Sequence, residues 1–167
     1  MTYFALTENG NVYKKAALLL QTCFGAEGAK VDYSAPRPTF AGAYMGVYDF
    51  NISHSGDIAA IAVSDKKIGC DLELFTGREH AAIIERFSAR ERDEICDEED
   101  FLLNWTAKEA FIKLNAFTLA THLKRLEYFE GDIYMDGEQQ NCPIVHIFLP
   151  YGILCLCGDD TLRQRDI

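Results

Sequence analysis

Basic residues are scarce in this sequence. Its 16 Lys and Arg residues are outnumbered by 26 Asp and Glu residues, which gives a net charge of −10. Since binding to nucleic acid depends on clustered basic side chains that neutralise phosphates, this balance argues against a nucleic-acid partner. Any phosphate that the chain binds must therefore be held by a local pocket or by a metal ion.

Long apolar runs are missing as well. The tightest, Ala16 to Leu20, is far shorter than the ~20 residues of a membrane-spanning helix, so we expect no membrane association. The N-terminus lacks a basic segment followed by an apolar core, which predicts no signal peptide. Six scattered cysteines then indicate reduced thiols and a cytoplasmic protein, and Cys155 and Cys157 lack the second pair that a zinc site needs.

The 167 residues suffice for one core without a metal or disulfide, since a chain of this size buries roughly two-thirds of its unfolded surface. Hydrophobic periodicity predicts helices over 11–23, 79–87 and 98–115. It predicts strands over 48–53, 58–63, 68–74, 123–129, 133–135, 144–149 and 153–157. Helices and hairpins in separate blocks favour an α+β fold. We expect 58–63 and 68–74 to form a hairpin, and a boundary near Phe75 to divide the chain into halves 1–75 and 76–167.

A first candidate for chemistry is the Asp-x-Glu pattern at the end of a predicted strand. Residues two apart on a strand point to one face, so Asp71 and Glu73 lie side by side. Their carboxylates repel each other unless a cation or water lies between them. The alternative is an edge strand with a solvated acidic face, which is the more frequent origin of a bare Asp-x-Glu pattern.

A second candidate lies on the long predicted helix, where Trp105, Glu109 and Lys113 share one face at i, i+4 and i+8. Glu109 before Lys113 is also an ordinary helix-stabilising pair. Opposite Asp71 and Glu73, however, Glu109 would complete an oxygen site for Mg²⁺, which binds few carboxylates and leaves other positions to water and phosphate.

A third candidate is the turn at the end of the strand Phe50 to Ser53. Hydroxyl groups, turn amides and His54 together make a plausible anion-binding nest there. The alternative is a capped turn with a histidine on the surface. The sequence contains no G-x-G-x-x-G loop, no P-loop and no nucleophile elbow.

Taken together and in this order, the three segments resemble the 4′-phosphopantetheinyl transferases, specifically the surfactin-synthetase type. The family pattern is F-N-x-S-H-S, then hydrophobic-G-x-D-x-E, then W-x-x-K-E-x-x-x-K. These motifs stand here at Phe50 to Ser55, Ile68 to Glu73 and Trp105 to Lys113. Each motif is a weak signal alone, but three in order at plausible spacing are specific, and the resemblance covers about 37–158.

The resemblance implies that the phosphopantetheine arm of coenzyme A is moved to a serine of an acyl or peptidyl carrier protein, with release of 3′,5′-ADP. It implies Mg²⁺ as the metal, with Mn²⁺ as a substitute. The implied metal ligands are Asp71, Glu73 and Glu109. Ser53 and His54 would hold the 3′-phosphoadenosine end, Lys113 would lie near the pyrophosphate, and Glu109 would also serve as the base.

The sequence departs from the family pattern in three places. Arg37 stands where the family often has the Lys of G-K-P, and its guanidinium could bind phosphate instead. The segment 115–119 replaces a glycine-rich one, which would limit close backbone approach. The N-terminal half is short, so that only the helix with Lys14 and Lys15 can match the family's basic helix, and Lys14 becomes a candidate contact to coenzyme A.

The surfactin type fuses two similar α+β halves into a pseudo-dimer with the site between them, so we expect a compact monomer of this kind. A rival interpretation is a catalytically degenerate homologue that binds coenzyme A or a carrier protein without transfer. An unrelated Mg²⁺-dependent nucleotide phosphotransferase would need a P-loop or kinase-like signature, which is missing. The sequence does not distinguish carriers of fatty acid, polyketide or nonribosomal peptide synthesis.

Overall fold

Two β-sheets packed face to face, with a helix on each outer side, dominate the computed structural model, which describes residues 1–167. The strands are β1 (Thr2–Glu8), β2 (Val31–Asp32), β3 (Thr39–Phe40), β4 (Asp49–Ser55), β5 (Ile58–Ser64), β6 (Gly69–Leu74), β7 (Leu126–Phe129), β8 (Asp132–Met135), β9 (Glu138–Gln139), β10 (Ile144–Leu149), β11 (Gly152–Cys157) and β12 (Leu162–Gln164). The helices are α1 (Val12–Phe24), α2 (Ala81–Ile84), α3 (Ala89–Glu94), α4 (Glu98–Leu114) and α5 (Leu119–His122), with 3₁₀ turns at Gly42–Tyr44 and Leu123–Arg125.

The strand order is β12-β1-β5-β4 in the first sheet and β10-β11-β6 in the second. All neighbours are antiparallel except β1 and β12. A small antiparallel sheet, β7-β8-β9, and the β2-β3 ribbon complete the fold. Mostly antiparallel sheets with helices on the outer faces agree with the predicted α+β class. None of the helices combines the length and apolar character that crossing a membrane would need.

The central strand β5 is buried on both faces, which explains its uninterrupted apolar sequence. Ile61 and Val63 face the α1 side, where they pack with Leu19 and Leu20. The alternate residues of β5 are alanines, which face β6 and β11 of the second sheet. Because alanine carries only a methyl group, the two sheets can approach closely there, and the strand β4 beside β5 lies against β6.

The pairing corrects one prediction. β5 pairs with β1 and β4, whereas β6 pairs with β11, so 58–63 and 68–74 do not form a hairpin. The boundary near Phe75 stays a prediction. The chain passes from the first sheet to the second at 65–68, before β6 pairs with β11. The sequence of a short apolar strand does not specify which strand it pairs with, because several strands here have similar length and composition. The strand β1, which was not predicted from the sequence, pairs with β5 instead.

The helix α4 forms where its sequence predicts it. Asp97 caps its N-terminus by accepting the Asp100 backbone N–H at 3.0 Å, and acidic residues occupy its first turn. Ser88 and Glu91 have the Ser-x-x-Glu spacing that predicts a capping box, and this box is present at the start of α3. The helix predicted over 79–87 is reduced to the single turn of α2.

A buried ion pair joins α3 to α4. The Nζ atom of Lys108 lies 2.5 Å from Oε1 of Glu91, and both side chains are fully buried. The ammonium also lies 3.6 Å from the ring centre of Phe87, and Glu91 accepts the backbone N–H groups of Ser88 and Tyr128. Burial lowers the pKa of Lys108, while Glu91 opposes that shift. The pair therefore fixes the position of α4 between α3 and β7.

Removing one member of this pair should destabilise the fold strongly. We expect Glu91→Gln to cost about 3–5 kcal/mol in chemical denaturation, because it leaves a buried ammonium without a counter-charge. The double variant Glu91→Gln/Lys108→Met should recover much of that loss, since it removes the uncompensated charge. A loss under about 1 kcal/mol for Glu91→Gln would contradict the buried pair.

Candidate active site

Asp71 and Glu73 of β6 point towards α4. Their partners in register on β11 are Cys155 and Ile153, whose side chains belong to the apolar clusters that α4 covers. Asp71 is only 3% exposed. The alternative of a solvated acidic edge therefore does not hold for Asp71, which is buried beneath the last turns of the helix.

Two polar groups meet at Asp71 and also contact each other. The Ser53 hydroxyl donates to Oδ1 of Asp71 at 2.8 Å, and Lys113 Nζ donates to the same oxygen at 2.6 Å. Lys113 Nζ also donates to Ser53 Oγ at 2.9 Å. The other carboxylate oxygen, Oδ2, is buried and has no partner. A buried carboxylate oxygen without a partner is costly, and it marks the place where an additional donor or a cation would be stabilising.

Glu73 lies one step further along the same face of β6. It accepts the Ser55 hydroxyl on Oε2 at 2.9 Å and the indole N–H of Trp105 on Oε1 at 3.4 Å. Trp105 is the only tryptophan in the chain. Its fluorescence can therefore report on the surroundings of Glu73.

Glu109 completes the acidic group without a hydrogen bond of its own. Burial raises its pKa, Lys113 opposes the shift, and the charge of Glu73 adds to it. Burial likewise raises the pKa of Asp71 to about 7 against the effect of Lys113, with Glu109 and Glu73 adding to the rise. Burial lowers the pKa of Lys113, but Asp71 outweighs this and leaves it raised. Asp71 and Glu109 thus share one ammonium, with the carboxylate of Glu73 nearby, which leaves the cluster short of positive charge.

The donor types in this cluster suit a hard cation. Carboxylate and hydroxyl oxygens are the ligands that Mg²⁺ takes, and the partnerless Oδ2 of Asp71 is available to it. No group of three or more His, Cys, Asp or Glu side chains is close enough together here to hold a metal ion. Instead, Lys113 supplies the positive charge at Asp71. The oxygen donors of the cluster are therefore of the type that binds Mg²⁺. In this structure, however, Asp71 forms an ion pair with Lys113.

A row of side chains on β4 positions the site, and we call it the β4–β6 seam: Asp49, Asn51, Ser53 and Ser55. Asp49, Asn51 and Ser55 accept backbone N–H groups of Ile68, Cys70 and Leu74, at 3.0, 3.1 and 3.2 Å. The strands β4 and β6 run parallel to each other. The acceptors for these backbone N–H groups are side-chain oxygens of β4, whereas in a regular sheet they would be backbone carbonyl oxygens. The seam brings Ser53 beside Asp71 and Ser55 beside Glu73.

The structure separates Ser53 from His54, which were predicted to act together. Neighbouring strand residues point to opposite faces, so Ser53 is buried against Asp71 while His54 is exposed on the α1 side. Lys14 is exposed on α1 on that same side. Lys15 donates to Thr7, which shares the partner Ala59 with His54 across the sheet. His54 and the start of α1 therefore lie at the same end of the first sheet.

Arg37 also departs from its predicted role. Its guanidinium forms an ion pair with Asp49 at 2.9 Å and donates to the backbone carbonyls of Lys113 and Leu114, at 3.1 and 3.4 Å. Both terminal nitrogens of the guanidinium already donate to protein oxygens, which does not fit the predicted contact with phosphate.

Three structural roles at the site were missed from the sequence: the acceptors Asp49 and Asn51, and the close packing of Gly69. A Cβ atom on Gly69 would lie 2.0 Å from the Ala110 carbonyl oxygen, so β6 and α4 touch through backbone atoms there. The polar residues at every second position of β4 were a signal, since their face cannot simply pack against an apolar layer. Nothing local indicated that a neighbouring strand would use them.

Comparisons with known proteins point to one superfamily. Residues 67–142 match the family model of the 4′-phosphopantetheinyl transferase superfamily. The human L-aminoadipate-semialdehyde dehydrogenase-phosphopantetheinyl transferase is 31% identical over 150 residues, covering 73% of this chain and 46% of its own. These matches support membership of the 4′-phosphopantetheinyl transferase superfamily.

Two bacterial relatives of the same superfamily are also similar. The 4′-phosphopantetheinyl transferase AcpT of Salmonella typhi is 33% identical over 115 residues, covering 62% of this chain and 55% of its own. The 4′-phosphopantetheinyl transferase psf-1 of Bacillus pumilus is 38% identical over 73 residues, covering 40% and 31%. The chain thus spans about half the length of the curated relatives it matches, or less.

The segment that matches the superfamily contains the acidic cluster and Lys113, but not the seam. Asp71, Glu73 and Glu109 fall within 67–142, whereas Ser53 and His54 lie before it. The first sheet lies outside the matched segment, and it contributes Ser53 and Ser55 to the site through the contacts of β4 with β6.

The seam predicts a stability effect that alternates along β4. Asn51→Leu should cost about 1–3 kcal/mol, because the Cys70 N–H loses its acceptor in a partly buried place. His54→Leu, on the exposed face of the same strand, should stay within about 0.5 kcal/mol. Chemical denaturation measures both, and amide hydrogen exchange at Cys70 should accelerate only in the first variant. Equal effects of the two substitutions would refute the seam.

Proposed function

We propose that the chain transfers the 4′-phosphopantetheine arm of coenzyme A to a serine hydroxyl of an acyl or peptidyl carrier protein, in an Mg²⁺-dependent reaction that releases 3′,5′-ADP. The observation that carries this proposal is the meeting of Asp71, Glu109 and Lys113 from β6 and α4, inside the segment that matches the superfamily. Phosphoryl transfer depends mostly on positioning and charge stabilisation, and this cluster offers both.

Asp71, Glu73 and Glu109 would hold the metal ion. Mg²⁺ or Mn²⁺, when bound, would neutralise charge on the pyrophosphate of coenzyme A. The electrostatics of the cluster support this assignment, because burial raises the pKa of both Asp71 and Glu109, and the charge of Glu73 adds to both shifts. It also explains how a chain with a net charge of −10 could bind a polyanion.

In the transfer, the serine oxygen of the carrier forms a bond to the phosphorus that bears the pantetheine. The bond from that phosphorus to the bridging oxygen of the pyrophosphate breaks, and 3′,5′-ADP leaves with the electron pair. Glu109 accepts the serine proton, directly or through a water, and the rise of its pKa by burial makes its carboxylate a stronger base than an exposed one. Lys113 donates to the phosphate oxygens on which charge grows.

The 3′-phosphate end of coenzyme A would bind on the other face of the first sheet. His54 and Lys14 are exposed there, at the end of the sheet where α1 begins. Ser53 takes a different part from that predicted, because its hydroxyl is buried between Asp71 and Lys113. We assign it to orienting these two groups before the substrate binds.

The finer features of the proposal are those of the surfactin-synthetase type: a cytoplasmic monomer built as a pseudo-dimer, with the site between its halves. The site draws Ser53 from the first sheet, Asp71 from the second and Lys113 from the outer helix, which is in keeping with such an arrangement. The carrier could belong to fatty acid, polyketide or nonribosomal peptide synthesis.

A second candidate is a degenerate homologue that binds coenzyme A or a carrier without transfer. The Lys113–Asp71 ion pair favours it, since a fixed ammonium at a would-be metal ligand is what a metal-free binder would show. A complete set of acids favours the enzyme, because a binder has no evident need for Glu109. Lack of activity of the wild-type chain on a broad panel of apo carriers with Mg²⁺ and Mn²⁺ would decide for the binder.

Asp71→Ala and Glu109→Ala should each abolish transfer in a folded protein, because each removes a charged oxygen ligand and leaves the pyrophosphate charge unmatched. The assay is incubation with an apo carrier, coenzyme A and Mg²⁺, read by intact mass. Asp57→Ala, which removes an exposed carboxylate from the β4–β5 turn, is the matched control and should retain activity. Near-wild-type turnover in both site variants would overturn the assignment.

Metal binding should be visible without activity through Trp105. We expect Mg²⁺ to change its fluorescence in a saturable manner, because its indole N–H contacts Glu73. Asp71→Ala should lose the response, and NaCl of equal ionic strength should not produce it in the wild type. If Mg²⁺ and Mn²⁺ leave the emission of the wild type unchanged at millimolar concentration, the acids do not form the metal site.

A further inference from the structure

Arg37 stands where four parts of the chain meet. It lies in the loop before β3, and its guanidinium touches β4 through Asp49, with 2.9 and 3.2 Å to the two carboxylate oxygens. It also donates to the last carbonyls of α4, those of Lys113 and Leu114, and to the Ile68 carbonyl just before β6 at 3.4 Å. One planar group thus connects both sheets to the end of the helix that carries Lys113.

The end of α4 needs such a partner. The last carbonyl oxygens of a helix have no N–H donors within the helix, and they form the negative end of its dipole, where a cation is favourable. The one basic residue in the last turn of α4 is Lys113, and its ammonium is directed to Asp71 and Ser53. Arg37 therefore supplies from outside the positive charge that the helix end lacks.

Asp49 and Gly69 make this junction tight. Oδ2 of Asp49 accepts both the Arg37 guanidinium and the Ile68 N–H, so that the helix cap and the start of β6 share one carboxylate. At Gly69 the strand touches the same helix turn, where an added Cβ would lie 2.9 Å from the Leu114 nitrogen. A shift of the last turn of α4 would therefore move Lys113 relative to Asp71.

We propose that Arg37 and Asp49 are a positioning pair for Lys113: they hold the last turn of α4 so that its ammonium is aimed at the reacting phosphates. The inference rests on the proposed function for its catalytic consequence. It assigns Arg37 to the helix end and not to coenzyme A. Arg37 acts on the reaction only through the backbone of Lys113.

The kinetic test uses Arg37→Met and Asp49→Asn in the full chain, with Arg125→Met as the matched control. Arg125 forms a comparable ion pair with Asp136 on the exposed small sheet. We expect Arg37→Met to lower kcat roughly tenfold or more, since a small misplacement of a catalytic group is costly. The KM for coenzyme A should stay within about threefold, as for a loss confined to the transition state. The loss should be the same with dephospho-coenzyme A.

Two further variants separate positioning from simple loss of structure. Arg37→Lys keeps the charge but not the fork that reaches both Asp49 and the helix, so it should recover part of kcat and remain folded. The double variant Arg37→Met/Asp49→Asn should be no worse than Arg37→Met, because the two residues act as a unit. A KM for coenzyme A that rises at unchanged kcat, with no effect on dephospho-coenzyme A, would assign Arg37 to the 3′-phosphate and overturn the proposal.

Amide hydrogen exchange tests the same contact without activity. In Arg37→Met or Arg37→Lys, exchange over 111–117 should accelerate by roughly tenfold or more relative to the wild type, while Arg125→Met leaves it unchanged. Unchanged exchange at the end of α4 would overturn the positioning role, whatever the kinetics. An inactive wild type would instead defeat the proposed function, and the exchange experiment would still decide whether Arg37 holds the helix end.

Discussion

The β4–β6 seam is the interaction on which the rest of the molecule depends. An edge strand exposes a row of backbone N–H groups, and here the acceptors come from alternate side chains of β4. The same side chains that satisfy the edge of β6 also set the register between the two strands. This register places Ser53 at Asp71 and Ser55 at Glu73. Stability and the geometry of the site therefore come from one set of contacts.

The chemistry of the site follows from unequal burial of charge. Asp71 is buried and shares Lys113 with Glu109, so its carboxylate lacks the full compensation that a buried charge needs. Elsewhere a buried charge faces one opposite charge directly, as Lys108 does in its pair with Glu91. At Asp71, one carboxylate oxygen stays buried without a partner although Lys113 contacts the other.

The helix α4 links these two features. Its buried face carries Lys108 towards α3, and its last turn carries Lys113 towards the seam. The first contact fixes the helix along its length, and Arg37 with Asp49 fixes its end. A lysine on a helix is only as well placed as that helix, which is why residues far from Lys113 in sequence bear on its position.

The sequence by itself determined α4, the capping box at Ser88, the hairpin of β10 and β11, and the gathering of Asp71, Glu109 and Lys113, because these depend on local periodicity, on caps and on motifs read together. Tertiary structure alone decided that β6 pairs with β11 and not with β5, since both candidate partners are short apolar strands. It also decided that Ser53 and His54 point to opposite faces of β4, and that Arg37 donates to the carbonyl groups at the end of α4. Each of these outcomes depends on contacts between segments distant in sequence, which alternation and spacing within one segment do not encode.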